Sequence, residues 1–157
     1  MTRAQISLVA AVGSTLLLAA AFGFQALGYA PCKLCLWQRW PHGLAMVLGG
    51  WALLAVMGRA PLPRIAVWLG ASAAATSAVL GGYHTGVEQG WWPGPDSCTG
   101  QPIAGLSPAD LLMQIMAAPI IRCDDIAWSL LGLSMASWNM LASGGLAVVW
   151  LLATRRT

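Results

Sequence analysis

A chain of 157 residues, of which 58% are hydrophobic and 8% charged, has the length of one domain but too few charges for a soluble one. Soluble domains carry about 25% charged residues, so lipid must solvate much of the exterior of this protein. The net charge of +3 comes from scattered basic residues, and this argues against a phosphate-binding patch and against nucleic acid as a partner.

Four apolar stretches predict transmembrane helices at approximately residues 6–27, 40–57, 65–84 and 137–153. The first holds 22 residues without a formal charge, and a helix of that length rises about 33 Å. A cleaved signal peptide is the alternative for this stretch, but the apolar region of a signal peptide is usually about 7–15 residues long. Because lipid offers the backbone no hydrogen bonds, all four stretches should be helical. We therefore expect an all-α membrane protein, a four-transmembrane-helix bundle in a single domain spanning residues 1–157.

The basic residues predict the orientation of this bundle. The loops at approximately 28–39 and 85–136 contain all four cysteines and all five acidic residues. Most of the basic residues flank the opposite side, which should therefore be cytoplasmic, with both termini inside and the cysteines outside. These residues are Arg3, Arg59, Arg64, Arg155 and Arg156.

Two local patterns refine the prediction. Small residues crowd the third stretch between Gly70 and Ala78 and would let neighbouring helices approach closely. In the long outer loop, Ser107-Pro108-Ala109-Asp110 has the pattern of a helix start, and apolar residues at 111, 112, 115 and 116 follow on one face. We expect a short amphipathic helix there, lying on the membrane surface or packed on the outer face of the protein.

The four cysteines form two pairs. Cys32 and Cys35 make a C-x-x-C motif before the second span, a spacing that can close a small disulfide ring and commonly lowers the pKa of the first thiol. If a helix begins there, its positive end favours a thiolate further, and thiolates attack disulfides. Cys98 and Cys123 lie in the long loop, where a bridge between them would be open to exchange. The alternatives are inert structural disulfides or a zinc site, but zinc knuckles usually provide two C-x-x-C motifs, so no metal is expected.

Two further side chains are candidate site residues. Arg39 follows Cys35 by four residues, so the two share a helix face. Its guanidinium could stabilise a Cys35 thiolate or bind a carbonyl ring, and the alternative is an arginine that reaches to the lipid headgroups. His84, at the outer end of the third span, could donate to a quinone carbonyl or carry protons, or it could simply be an interfacial residue. His42 is left without a role.

These features resemble the disulfide bond formation protein B (DsbB) family over nearly the whole chain. The matching segments are Cys32-Lys33-Leu34-Cys35-Leu36-Trp37-Gln38-Arg39 at the second span, His84 closing the third, Cys98 and Cys123 in the second outer loop, and Cys123-Asp-Asp-Ile-Ala-Trp128-Ser-Leu-Leu-Gly132-Leu133 before the fourth.

The resemblance implies a protein-disulfide oxidoreductase of the bacterial inner membrane, with its active cysteines facing the periplasm. A reduced DsbA-like protein with a thioredoxin fold would attack a Cys98–Cys123 bridge, and its electrons would pass to the Cys32–Cys35 pair. Cys35 would then meet a membrane quinone, ubiquinone or menaquinone, held near Arg39 and His84. The relay would sustain disulfide formation in exported proteins.

Two other functions remain open at this point. A quinone-linked enzyme similar to the vitamin K epoxide reductase family would place the pair that serves the quinone late in the chain, whereas here C-x-x-C precedes the second span. A non-enzymatic membrane scaffold with structural disulfides would tolerate Cys32→Ser without a change in partner oxidation.

Overall fold

The computed structural model describes residues 1–95, 107–109, 112–113 and 121–156. Its long helices are α1 (Arg3–Ala26), α2 (Lys33–Val56), α3 (Arg64–Glu88) and α4 (Met135–Thr154). Immediately before α4, β1 (Ser129–Leu130) pairs with β2 (Leu133–Ser134) as an antiparallel hairpin. The prediction of four long helices is confirmed, with this hairpin as a small addition to an all-α fold.

Three of these helices are long and apolar enough to cross a membrane, namely α1, α3 and α4. The helix α2 is as long as α1, but its first half contains Gln38, Arg39 and His42. The polar side chains of α2 are concentrated at the end where the C-x-x-C motif lies.

The helix α2 begins at Lys33, before the apolar stretch 40–57 but in agreement with the helix face that the spacing of Cys35 and Arg39 predicted. Cys32 is its N-cap, with extended backbone angles, and the Cys35 backbone N–H donates to Cys32 Sγ at 3.3 Å. A side-chain acceptor at this position satisfies one of the free N–H groups at a helix start. Residues 33–39 are therefore helical rather than part of an outer loop, and the dithiol lies in the first turn of α2.

The amphipathic helix expected after Ser107 lies mostly outside the described residues. Pro108, Ala109, Leu112 and Met113 are helical, and the remainder of that segment is not among the residues described.

The helices form a bundle in which α1 packs on α2 and α4, and α3 packs on the same two helices. The Arg3 guanidinium donates to the Arg156 carbonyl, with an Nη2–O distance of 2.7 Å, so the start of α1 and the end of α4 lie at one end of the bundle. Buried alanines surround a fully buried Trp150 near that end. The dithiol lies at the start of α2, after the chain has run the length of α1.

Small residues of α3 allow the close packing that the sequence predicted. Residues 70, 71, 73, 74 and 77 of α3 are all buried. A Cβ added at Gly70 would lie 2.6 Å from the Trp150 ring, and one at Gly81 would lie 2.9 Å from the Met140 backbone nitrogen. The backbones of α3 and α4 approach each other closely because these positions carry no side chain.

We predict that Gly81→Ala destabilises the bundle. The new methyl group would meet backbone atoms of α4, which cannot move aside as a flexible side chain can, and overpacking of this kind costs about 1–3 kcal/mol. Gly144→Ala is the matched control, because a Cβ there meets nothing within 4 Å and alanine favours a helix over glycine. Thermal unfolding in one detergent should show a lower Tm only for Gly81→Ala. Equal Tm values for the two variants would contradict the close α3–α4 packing.

Candidate active site

The two thiols of the C-x-x-C motif lie in contact at the mouth of α2. Cys32 Sγ and Cys35 Sγ are 3.1 Å apart, both cysteines are free, and Cys32 is buried while Cys35 is half-buried. The hydrogen bond to Cys35 and then burial raise the pKa of the Cys32 thiol above its ordinary value. The expectation of a lowered pKa for the first thiol is therefore wrong for Cys32, because these two effects outweigh the helix-end backbone N–H groups that favour its thiolate.

Cys123 and His84 lie beside this dithiol. Cys123 is disulfide-bonded and packs with Cys32, Leu34 and Val87 in one buried cluster. His84 Nε2 lies 3.5 Å from Cys32 Sγ, and His84 also hydrogen-bonds to the Cys123 backbone. Residues 32, 35, 84 and 123, distant in sequence, thus come together. The remaining cysteine candidate, at position 98, lies outside the described residues.

A chain of hydrogen bonds runs from His84 into the bundle through Gln38. The Gln38 amide nitrogen donates to the Leu34 carbonyl at 3.2 Å and contacts His84 Nδ1 at 2.9 Å. Gln38 Oε1 accepts from Asn139 Nδ2 at 2.6 Å, and Asn139 Oδ1 lies 2.9 Å from His42 Nε2. Because a carbonyl oxygen can only accept, the Leu34 carbonyl fixes the orientation of the Gln38 amide and, through it, that of Asn139.

These orientations fix the proton positions on both imidazoles. His84 Nδ1 accepts from Gln38, so its proton is on Nε2, which faces Cys32 Sγ and the Cys123 backbone. His42 Nε2 faces the Asn139 amide oxygen and also carries a proton, which leaves its Nδ1 as a buried acceptor without a partner in the described residues.

The same tautomer bears on metal binding. Cys32, Cys35 and His84 offer three ligand atoms within 4.8 Å of one another, a grouping that could hold zinc. A metal-bound histidine needs a free lone pair on the ligating nitrogen, whereas His84 Nε2 carries its proton here. The hydrogen bonds therefore favour a dithiol over a metal centre.

We predict that both histidines are neutral with the proton on Nε2. The chain contains two histidines, so ¹⁵N-histidine labelling gives a spectrum of four ring nitrogens, which a His84→Asn variant assigns. Gln38→Glu replaces the donor to His84 by an acceptor and should move the His84 proton to Nδ1, while the matched change Gln25→Glu should not. A parent protein with the His84 proton on Nδ1 would contradict the network.

An apolar cavity of about 370 Å³ lies beside Cys35, between α1, α2 and α4. Arg39 borders it, and its guanidinium donates to Gln25 Oε1 at 2.7 Å and to the Ala21 carbonyl at 3.3 Å, with the Phe22 ring centroid 4.7 Å away. Arg39 Nε is buried without a hydrogen-bond partner in the described part of the chain. Arg39 thus ties α2 to α1 and forms part of the cavity wall.

A second, more polar cavity of about 340 Å³ lies on the other side of the dithiol. Cys32 and Glu88 border only this cavity, Arg39 borders only the apolar one, and Cys35 and His84 border both. The two sulfurs therefore differ in surroundings, because Cys35 has access to both cavities and Cys32 to one.

The charges around Cys123 partly cancel. Arg122 donates to Asp124, with an Nε–Oδ1 distance of 2.9 Å, and this hydrogen bond lowers the pKa of the partly exposed Asp124 carboxyl below its ordinary value. Arg122 is therefore paired with Asp124, so its charge is partly neutralised and favours a thiolate at the neighbouring Cys123 less.

Four side chains that the sequence analysis did not select belong to the site: Gln38, His42, Glu88 and Asn139. The available signal was helical spacing of polar residues in apolar helices, since 38 and 42, and likewise 84 and 88, are four residues apart. Asn139, which connects to α2 across about a hundred residues of sequence, had no such local signal.

We predict that Cys35 holds the pKa of Cys32 high. In a reduced Cys35→Ala variant, which lacks the hydrogen-bonding sulfur, more Cys32 is thiolate at neutral pH and iodoacetamide should alkylate it faster than in the reduced parent. In Cys35→Ser the neutral hydroxyl can donate to the Cys32 thiolate, so alkylation should be at least as fast as in Cys35→Ala. The Cys32 peptide is quantified by mass spectrometry from neutral to alkaline pH. An unchanged pH profile in Cys35→Ala would contradict the assignment.

The chain is similar to known proteins over most of its length. The family model for disulfide bond formation protein DsbB matches residues 3–153. A disulfide bond formation protein B of Shewanella frigidimarina is 33% identical over 154 residues, covering 92% of this chain and 84% of the relative. One of Psychrobacter arcticus is 29% identical over 135 residues, covering 80% and 73% respectively. No solved structure matches. The chain therefore belongs to the DsbB family of disulfide bond formation proteins.

Proposed function

We propose that the protein is a membrane thiol:quinone oxidoreductase that reoxidises a periplasmic DsbA-like protein and passes the electrons to a membrane quinone. The observation that carries the proposal is the position of Cys35, which borders both the apolar cavity and the polar one. Thiol–disulfide exchange takes place with a water-soluble partner, whereas a quinone arrives from lipid. A sulfur with access to both sides can connect the two reactions.

The apolar cavity suits a quinone ring, ubiquinone or menaquinone. Its volume of about 370 Å³ is in the ordinary range for small-molecule sites, and its walls are mostly apolar. The Arg39 guanidinium at the cavity wall carries N–H donors suited to a ring carbonyl oxygen, which is an acceptor only. When bound, a quinone supplies an acceptor for two electrons and two protons. Arg39 would hold it by hydrogen bonding, and His84 would border the ring beside Cys35.

Exchange between the two cysteine pairs is supported by the packing of Cys123 against Cys32. We propose that the partner thiolate attacks a Cys98–Cys123 bridge, and that the released thiol of this pair attacks the oxidised Cys32–Cys35 bridge. One S–S bond forms and one breaks at each step, so the electron pair moves inwards. In this scheme Cys32, which borders the polar cavity, undergoes exchange with the second cysteine pair. Cys35, which also borders the apolar cavity, reacts with the quinone.

We further propose the inner membrane as the location, with four spans, both termini cytoplasmic and the cysteines periplasmic. The arginines that flank the spans are concentrated on the side of the termini, which is the side expected in the cytoplasm. The hydrogen bond between Arg3 and Arg156 supports a common side for both ends of the chain.

The test is steady-state oxidation of a reduced DsbA-like protein by the purified protein with a short-chain quinone. We predict that Cys35→Ser abolishes quinone reduction, because the sulfur nearest the quinone is lost. A non-enzymatic scaffold would instead give no quinone reduction in the parent protein, and Cys32→Ser would change nothing.

Arg39→His separates the two half-reactions. Loss of a charge-assisted hydrogen bond costs about 1.5–3 kcal/mol, so the KM for the quinone should rise about tenfold or more. Attack by the partner on the second cysteine pair should proceed as in the parent, as measured by trapping of the mixed disulfide. Arg59→His, in the α2–α3 connection, is the matched control and should leave both steps unchanged. An equal loss of both steps in Arg39→His would contradict the role given to Arg39.

A further inference from the structure

Glu88, the last residue of α3, is a buried acid beside the dithiol. Its side chain is 5% exposed, it accepts a hydrogen bond from the Ser134 hydroxyl, and its Oε1 lies 3.9 Å from His84 Nε2. It borders the polar cavity together with Cys32 and Cys35. Burial of a carboxylate is costly, and in the described part of the chain His84 is the one basic group at ion-pair distance from it. Packing alone therefore does not explain a carboxylate at this buried position, where an apolar side chain would cost less to bury.

The proton chemistry of the dithiol needs an acceptor at this place. A dithiol that becomes a disulfide loses two electrons and two protons, and the reactive species in exchange is the thiolate. His84 is the nearest nitrogen base, but its Nδ1 is occupied by Gln38 and its Nε2 already carries a proton. In this tautomer His84 donates towards the sulfur and cannot take the proton of a thiol.

We propose that Glu88 is the proton acceptor of the Cys32–Cys35 dithiol. Its carboxylate takes the proton of one thiol through water in the polar cavity, which leaves a thiolate, and then releases that proton to the outer solution. The second thiol loses its proton by the same route when the S–S bond closes, and the two electrons leave with the oxidant. This deepens the proposed function and rests on the dithiol being the redox-active pair.

The other charged groups around Glu88 fit this role. Cys32 and Cys35 face it from α2, His84 from its own helix, and Arg122 and Asp125 from the segment after residue 120, all around the same cavity. Arg122 and Asp125 are exposed, so they lie at the solvent-facing rim of this cavity. Ser134, the N-cap of α4, holds the carboxylate in place through its hydroxyl.

The competing explanation is a brace, in which Glu88 only ties α3 to the N-cap of α4. Glu88→Gln distinguishes the two, because a glutamine amide oxygen can still accept from the Ser134 hydroxyl but cannot take a proton. Asp125→Asn is the matched control, since it removes one negative charge from the rim of the same cavity. An unchanged Tm in both variants shows that the contact between residue 88 and the Ser134 hydroxyl still holds α3 to α4.

The experiment is single-turnover oxidation of the reduced protein by the neutral reagent 2,2′-dipyridyl disulfide, followed across pH by released pyridine-2-thione. In the parent and in Asp125→Asn, the rate should rise with pH in two steps, first as Glu88 loses its proton and then as the thiol does. In Glu88→Gln the first step should vanish, with a rate about tenfold or more lower between the two steps. A pH profile of Glu88→Gln equal to that of the parent would overturn the proposal.

A parallel arm uses a short-chain quinone as the oxidant. If the parent reduces no quinone but the dipyridyl arm still loses its first step in Glu88→Gln, the proposed quinone reaction fails and the proton acceptor stands. If the quinone arm works and the pH profile does not depend on Glu88, the proton acceptor fails alone.

Discussion

The start of α2 is the constraint on which the site depends. Cys32 caps this helix with its sulfur, and the same bond, from the Cys35 backbone N–H, brings the second sulfur one turn away into contact with the first. A thiol pair in the first turn is held by the helix itself rather than by a loop, while the positive end of the helix lies next to it. Cys35 then reaches the apolar cavity, and Cys32 remains on the polar side.

The side-chain amide of Gln38 links the dithiol region to the interior of the bundle through hydrogen bonds. The Gln38 amide nitrogen donates to the Leu34 carbonyl, and this fixes which atom donates and which accepts in the hydrogen bonds that connect His84, Gln38, Asn139 and His42. As a result the His84 Nε2–H faces Cys32 Sγ and cannot accept a thiol proton. In our proposal the Glu88 carboxylate accepts it instead.

Hydropathy and the cysteine spacing were sufficient to predict the four helices and the adjacent thiols of Cys32 and Cys35, because each signal is local in the sequence. The apolar stretch alone would start α2 about seven residues too late, because the first half of this helix is polar, whereas the spacing of Cys35 and Arg39 indicated a helix there. The contact between Gln38 and Asn139 could not be predicted, because it depends on how α2 and α4 meet. The raised pKa of Cys32 likewise follows from a three-dimensional balance between burial, the neighbouring sulfur and the helix end.

In our account, oxidants in water and oxidants in the lipid can both reach the Cys32–Cys35 dithiol. The reduced protein in liposomes is exposed either to a membrane-impermeant disulfide in water or to a long-chain quinone in the lipid, and the Cys32–Cys35 peptide is examined by mass spectrometry. We predict that each oxidant alone converts the pair to a bridged disulfide. A pair that is oxidised from only one of the two phases would contradict the position assigned to Cys35.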